Sequence, residues 1–231
     1  MKSLLLFLLL TFPLFAGLLH ASVSFAPNIF FAYNQTVIMT LPNGSTTTIH
    51  EVLLQRIVGV YPNNTIAVNL TIYNVDEKYY LPPVVSLSNL SFPTNLYYIP
   101  PHLLGKNVTR GSSEICFVNY SNGLYVYESK SNIQDVVIEF FMWVNSSGVA
   151  VKVQTLQIGA TLQLVSNATA VLWKSNYFDP ATPLPKFPGY TEAHVVSANL
   201  NKTVLVVSHK LLEYILIAGV LGIIIILLFR K

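Results

Sequence analysis

VVIEFFMWV at Val136–Val144 and TIAVNLTIY at Thr65–Tyr73 are the two stretches that decide the fold class. The first is apolar apart from Glu139, which predicts a central strand, and its nine residues are too few to cross a membrane as a helix. In the second, apolar side chains occupy every second position from Ile66 to Ile72, the period of a strand with one buried face. Both stretches therefore predict a β-protein.

Before and after these stretches, the chain contains many short β-like runs separated by Pro, Gly and Asn. Between the two apolar ends we find no convincing pattern of an amphipathic helix. Turn signals occur at Asn43-Gly44 and at Asn145-Ser146-Ser147-Gly148. This spacing predicts an antiparallel β-sandwich, either one large or two tandem immunoglobulin-like sandwiches with a subdomain boundary near residues 105–111. The predicted strands are Thr36–Leu41, Thr47–Tyr61, Thr65–Asn74, Glu114–Asn119, Leu124–Glu128, Val136–Val144, Val149–Ile158, Thr161–Val165, Thr169–Trp173, Ala193–Leu200 and Thr203–Val207.

The N-terminus has the layout of a secretory signal peptide. Lys2 precedes an apolar run from Leu4 to Leu19, and small residues follow up to Ser24. We therefore predict a signal peptide over residues 1–24 and an ectodomain over residues 25–208. An uncleaved N-terminal anchor is the alternative.

The C-terminal run Leu211–Phe229 predicts a transmembrane helix. Its nineteen residues would span about 28 Å as a helix, close to the hydrocarbon thickness of about 30 Å. The part from Ile223 onward has no polar face, which argues against a buried core helix. With a span over residues 209–229 and a tail of Arg230 and Lys231, we expect a single-pass protein of the cell membrane whose N-terminal ectodomain lies outside.

Glycosylation acceptors of the form Asn-x-Ser/Thr are the strongest motif in the chain. They account for ten of the 18 asparagines, whereas the frequency of Ser and Thr would give roughly three by chance. All of them lie between the two hydrophobic ends, as expected of a glycan-coated exterior, and Asn69 falls on the polar side of its predicted strand. The acceptors are Asn34, Asn43, Asn63, Asn69, Asn89, Asn107, Asn119, Asn145, Asn167 and Asn201.

Charge argues against a nucleic-acid-binding function. Residues 25–208 contain nine basic and nine acidic side chains, so their formal net charge is zero. Nucleic-acid binders need clustered Lys and Arg, and here the basic residues are scattered singly. Low charge also fits an acidic exterior, because ion pairs are lost once carboxylates protonate near pH 4.

No pattern in the sequence points to an enzyme, a metal site or a cofactor. Cys116 is the only cysteine, so it either stays a free thiol or forms an intermolecular disulfide. The next histidine after it is His194, which is too distant for a blue-copper site, and no paired histidines suggest another metal. Nucleophile-elbow and phosphate-loop motifs are absent from the sequence. We therefore predict no catalytic, metal-binding or cofactor-binding residues.

A repeated aromatic motif is the remaining candidate for binding. Tyr79-Tyr80-Leu81-Pro82-Pro83 recurs as Tyr97-Tyr98-Ile99-Pro100-Pro101, and Pro-Pro excludes a central strand. In one interpretation the tyrosines pack at sheet edges or corners. In the other, Tyr79, Tyr80, Tyr97 and Tyr98 form an exposed surface for a sugar or a protein partner.

The combined layout resembles that of crenarchaeal membrane-anchored surface glycoproteins. The features that carry the resemblance are the signal peptide, the dense acceptor sites, the lone Cys116 and the short basic tail after the apolar C-terminal run. Surface-layer stalk subunits and archaeal viral envelope proteins share this layout, although the heptad coiled coil of the stalks is missing here. The resemblance implies a structural or adhesive surface protein with protein partners or self-association. The alternative is an extracytoplasmic ligand-binding or accessory module of a membrane complex.

Overall fold

The computed structural model describes residues 25–41, 43–90, 96–110, 113–133, 136–159 and 164–193. Apart from one 3-10 turn at Pro101–Leu103, the regular structure of this part is β-strand, so the predicted all-β class is confirmed. The strands are β1 (Phe30–Thr40), β2 (Thr46–Val60), β3 (Thr65–Asn74), β4 (Tyr79–Tyr80), β5 (Val84–Asn89), β6 (Val108–Arg110), β7 (Ser113–Ser121), β8 (Leu124–Ile133), β9 (Val136–Val144), β10 (Ala150–Gly159), β11 (Leu164–Ser175) and β12 (Thr191–Glu192).

These strands form one sheet in the order β12-β4-β3-β2-β1-β11-β10-β9-β8-β7-β6, and β5 also pairs with β3. The chain starts in the middle at β1, steps outward to β5, crosses to β6 at the far edge and steps back to β11. Because β11 pairs directly with β1, the two meanders fuse into one hydrogen-bonded layer. The strands thus belong to one hydrogen-bonded sheet rather than to two separate ones, a connection that strand periodicity does not specify.

The two deciding stretches lie in the sheet as predicted. β9 pairs with β8 on one side and β10 on the other, which makes it a central strand, and β3 pairs with β2 and β5. β11 contains the predicted strand Thr169–Trp173 and the last two residues of the predicted strand Thr161–Val165, whose first three residues lie outside the described part. Apart from Ala193, the predicted strands Ala193–Leu200 and Thr203–Val207 also lie outside it.

Both predicted turns are hairpins. Between β9 and β10, Asn145 Oδ1 accepts hydrogen bonds from the backbone N–H groups of Ser147 and Val149, both at 3.0 Å. Between β1 and β2, Asn43 Oδ1 accepts from the backbone N–H of Ser45 at 3.0 Å. In each case the short amide side chain replaces a backbone partner, which is why asparagine favours such turns.

One face of the sheet, called the inner face here, carries the main core. Phe31 and Tyr33 of β1 pack there in one cluster with Ile66 of β3 and Tyr127 of β8. The described part of the connection from β5 to β6 adds Leu96, Tyr98 and Ile99 to this cluster.

This connection includes the crossing segment, defined as Leu96–Gly105. The backbone N–H of Tyr97 donates to Gln55 Oε1 of β2 at 3.3 Å, and the carbonyl of Tyr97 accepts from the N–H of Ala150 at 3.0 Å. At its other end, the N–H of Gly105 donates to Tyr127 Oη of β8 at 3.0 Å. The crossing segment therefore forms a second layer over the inner face.

The opposite face, called the outer face here, is covered over β1 to β3 by the chain that follows β11. Phe187 stacks on Tyr73 with ring centroids 3.8 Å apart, and both pack against Phe30 and Leu54. Beyond this cover, the outer face of β11 leaves Val171 and Trp173 exposed.

Two residues at and beside residues 105–111, the position proposed for a subdomain boundary, belong to the main core. Val108 and Ile115 share one cluster with Phe31 and Val68. Within the described ranges, no helix is long and apolar enough to span a bilayer. The predicted signal peptide (1–24), transmembrane helix (209–229) and tail (230–231) lie outside those ranges.

Candidate glycosylation sites

Nine of the ten acceptor asparagines lie in the part of the chain that the structure describes, and none of the nine is buried. Asn201 lies outside it. Asn74, the asparagine that is buried within the described residues, does not belong to an acceptor motif. The exposed acceptors are Asn34, Asn43, Asn63, Asn107 and Asn119, and the half-buried ones are Asn69, Asn89, Asn145 and Asn167.

At the turn acceptors, the asparagine uses its oxygen to shape the backbone. Asn63 Oδ1 accepts from the N–H of Thr65 at 3.3 Å, the same contact with the residue two positions later that Asn43 and Asn145 make. These turns hold the side chain through Oδ1. The Nδ2 atom, to which an N-linked sugar is attached, is not needed by the turn.

The strand acceptors Asn34, Asn69 and Asn167 lie on the outer face. Asn69 alternates with Val68 and Leu70, which contact the main core, so its predicted orientation away from the apolar row is confirmed. Asn34 is opposite Val52, a member of the outer-face cluster, and Asn167 alternates with the buried Ser166. Strand pleating therefore directs all three amides away from the inner face.

The acceptor motifs of Asn34 and Asn167 face each other across the β1–β11 ladder. Thr36 and Thr169, the hydroxyl residues of the two motifs, are direct register partners. Asn34 lies two residues from this pair on β1, and Asn167 lies two residues from it on β11, toward the other end of the ladder. Both are therefore on the same outer surface, separated by four residues along the strands.

At the acceptor Asn107, both ends of the amide are already bonded. Nδ2 donates to Glu114 Oε1 at 3.0 Å, and Oδ1 accepts from the backbone N–H of Phe117 at 2.9 Å. A sugar on Nδ2 would have to displace the carboxylate of Glu114. This site is therefore the least favourable of the exposed acceptors.

The two tyrosine pairs occupy different environments. Tyr98 is only 4% exposed, and the ring of Tyr97 lies between Tyr33 and Phe140 at centroid distances of 5.2 and 6.1 Å. Burial raises the pKa of Tyr97 to about 12. The prediction that Tyr97 and Tyr98 form an exposed partner surface is therefore wrong, because the crossing segment turns them into the core.

Tyr79 and Tyr80 lie half-buried at the sheet margin, so the edge-packing interpretation describes them better. Tyr80 contacts Tyr73 at a ring distance of 5.7 Å, and its hydroxyl donates to Glu192 Oε2 at 3.2 Å. Asn74 Nδ2 donates to Tyr79 Oη at 3.4 Å. Both tyrosines therefore help to attach the final strand β12, which pairs with β4.

One buried carboxyl group was not singled out from the sequence. Glu51 is 6% exposed on the inner face, where its Oε2 accepts from Gln35 Nε2 at 3.1 Å. Burial, and secondarily the charge of Asp76, raise the pKa of Glu51 to about 7. The available signal is that Glu51 is the single acidic residue of the run Thr47–Tyr61.

The described residues contain no group of three His, Cys, Asp or Glu side chains placed to hold a metal ion. Cys116 is a half-buried free thiol. Its partial burial, and then the neighbouring Glu114, raise the pKa of Cys116, which lowers the fraction of nucleophilic thiolate. Among the described residues, the functional side-chain groups are thus mainly amides, hydroxyls and aromatic rings.

Comparison with known proteins gives no family. No family model matches the chain, and no curated protein matches it. Among solved structures, an AttH-type protein from Nitrosomonas europaea is 13% identical with a TM-score of 0.27, covering 66% of this chain and 53% of its own. A LolA superfamily protein from the same organism is 11% identical with a TM-score of 0.20, covering 67% and 88%. The chain spans about half the length of the AttH-type structure, and neither likeness supports a functional argument.

Proposed function

We propose that this protein is a membrane-anchored, N-glycosylated surface protein with a structural or adhesive role outside the cell. The observation that carries the proposal is the placement of its acceptor asparagines. Nine of them lie in the described residues, and each is exposed or half-buried. The two apolar ends, predicted to be a signal peptide and a membrane span, agree with this topology.

The chemistry required is glycosyl transfer to an amide nitrogen. A transferase would join Nδ2 of an acceptor asparagine to the anomeric carbon of a sugar carried on a lipid phosphate, releasing the phosphate carrier and one proton. The acceptor must reach the transferase, so exposed turns such as Asn43 and Asn63 are the most accessible sites.

A structural or adhesive role is supported by the construction of the domain. A single sheet with a continuous core provides a rigid support. Because the described residues form few ion pairs, protonation of carboxylates in acid should remove little of the protein's stability. Only two ion pairs occur among the described residues, His50–Asp76 and Lys130–Glu139. Protein partners or self-association at the cell surface belong to this proposal.

Protease treatment of intact cells, followed by treatment of opened cells, tests the topology. We expect fragments from residues 25–193 to be released from intact cells, while the apolar C-terminal peptide sediments with the membranes after alkaline washing. A chain that is cut only after the cells are opened, or that washes off entirely, would contradict the proposal. Cross-linking on the same cells then shows whether the bound neighbours are copies of this chain or other surface proteins.

A further inference from the structure

Three of the strand acceptors on the outer face, Asn34, Asn69 and Asn167, each lie directly opposite an exposed aliphatic side chain. Asn34 is the register partner of Val171, which is 49% exposed, and Asn167 is the register partner of Ile38, which is 41% exposed. Asn69 of β3 is likewise opposite Val85 of β5, which is 60% exposed. Residues directly opposite in an antiparallel pair share one face, with Cα atoms about 4.5–5.5 Å apart.

The β1–β11 ladder shows this relation most clearly. In the middle of this ladder, three successive outward pairs are Asn34 with Val171, Thr36 with Thr169, and Ile38 with Asn167. This part of the outer face is thus made of two acceptor motifs and the two aliphatic residues opposite their asparagines. Isolated exposed aliphatic residues are common on protein surfaces, but here their positions are tied to the acceptors by register.

The apolar surface beside Asn34 extends further across the sheet. Trp173 follows Val171 by two residues and is exposed, and Lys152 is opposite Val171 on β10. The Nζ atom of Lys152 lies 4.5 Å from the ring centroid of Trp143 on β9. A group attached at Asn34 and extending over β11 would therefore meet Val171 first, and then the side chains of Lys152 and Trp143 on the next two strands.

We propose that the sugars attached at Asn34 and Asn167 lie against Val171 and Ile38 and act as the outer layer of the β1–β11 ladder. This inference rests on the proposed glycosylation. A pyranose ring has a face of C–H groups that can cover an aliphatic side chain while its hydroxyls remain in water. The occupant is a carbohydrate of the same chain, because sugars projecting from both asparagines would obstruct a protein docking on the same surface.

A double-mutant cycle on glycosylated full-length protein in mild detergent tests the contact. The substitutions are Asn34→Gln, which removes the attachment, and Val171→Thr, which removes the aliphatic surface but keeps a β-branched strand residue. We expect Val171→Thr to lower the unfolding midpoint by about 2–4 °C when Asn34 carries its sugar and to have almost no effect in the Asn34→Gln background.

Val118→Thr is the matched control. Val118 is also 49% exposed, but it lies on β7, away from the β1–β11 ladder. Its effect should be the same with and without the Asn34 sugar. Equal effects of Val171→Thr in both backgrounds would overturn the inference.

Intact mass and light scattering of the same samples separate the remaining outcomes. A sugar present at Asn34 without thermal coupling overturns the contact but leaves the proposed function standing. A bare Asn34 overturns the contact together with glycosylation at this site. Dimers that dissociate on Val171→Thr while the Asn34 sugar is present would show that a second copy covers the surface, which also overturns the inference.

Discussion

At Glu51, a carboxyl group is buried on the inner face with an amide donor 3.1 Å away and no cation in hydrogen-bond contact among the described residues. Its pKa rises from 4.5 to about 7, chiefly because burial disfavours the charged form. The folded protein therefore holds this proton more tightly than the unfolded chain does. The resulting stabilisation is fully present below pH 4.5 and is lost as the pH rises through about 7.

The substitution Glu51→Gln should remove this pH dependence. Glutamine keeps the shape and an oxygen for Gln35 but cannot ionise, so the variant should match the original protein at pH 4. At pH 8 it should be the more stable of the two, by about 1–3 kcal/mol in the free energy of unfolding. Urea titrations across this range measure the effect, and parallel pH profiles for the two proteins would refute the role given to Glu51.

Gly148 is the residue where the hairpin between β9 and β10 meets the crossing segment. Its φ is +85°, and a Cβ atom there would lie 2.1 Å from the carbonyl oxygen of Ile99. The same glycine accepts a hydrogen bond from the N–H of Ile99 at 2.8 Å. A side chain at this position would thus force apart two layers that are bonded to each other.

We expect Gly148→Ala to lower the free energy of unfolding by about 3 kcal/mol or more, through backbone strain and displacement of the crossing segment. Gly123→Ala is the control, because Gly123 has a similar φ of +79° but nothing within 4 Å of its would-be Cβ. That control should cost about 1 kcal/mol. Similar losses for both variants would show that the close approach at Ile99 does not matter.

At the scale of elements, the crossing segment determines where the core lies. It connects the two edges of the sheet and buries Tyr98 and Ile99. Tyr127 holds its far end by accepting from the N–H of Gly105 and donating to the carbonyl of Leu103 at 3.3 Å. Two backbone groups of the segment therefore depend on one buried hydroxyl.

Removal of that hydroxyl in Tyr127→Phe should lower the free energy of unfolding by about 1–3 kcal/mol, because both backbone groups lose their partner. Tyr125→Phe is the matched control, since Tyr125 lies on the same strand and its hydroxyl makes no hydrogen bond to the described residues. Thermal unfolding by circular dichroism measures both variants. Equal midpoints for the two would contradict an anchoring role for Tyr127.

The elements also show what local sequence can and cannot predict. Alternation correctly places β3, β9 and the polar orientation of Asn69, because a strand's period of two is a local property. The pairing of β11 with β1 joins residues more than a hundred positions apart, and no local pattern encodes it. For the same reason local sequence cannot decide whether Tyr97 and Tyr98 are exposed or packed, since their burial depends on which strands the crossing segment passes over.

At the scale of the whole molecule, the sheet presents two unlike faces. The inner face is closed by the crossing segment, whereas the outer face carries Asn34, Asn69 and Asn167. The acceptor motifs could be found from sequence because glycosylation is recognised through three consecutive residues. Which residues lie opposite the acceptors, namely Val171, Ile38 and Val85, could be learned only from the strand register of the structure. We therefore expect a surface protein in which carbohydrate completes the outer layer of the sheet.

The most direct test of this central claim is glycopeptide mass spectrometry of the full chain purified from its native membranes. We expect sugars on the turn and outer-face acceptors and a bare Asn107, whose amide is bonded to Glu114 and Phe117. The acceptors expected to be modified are Asn34, Asn43, Asn63, Asn69, Asn145 and Asn167. Unmodified asparagine at all of these positions would contradict the account.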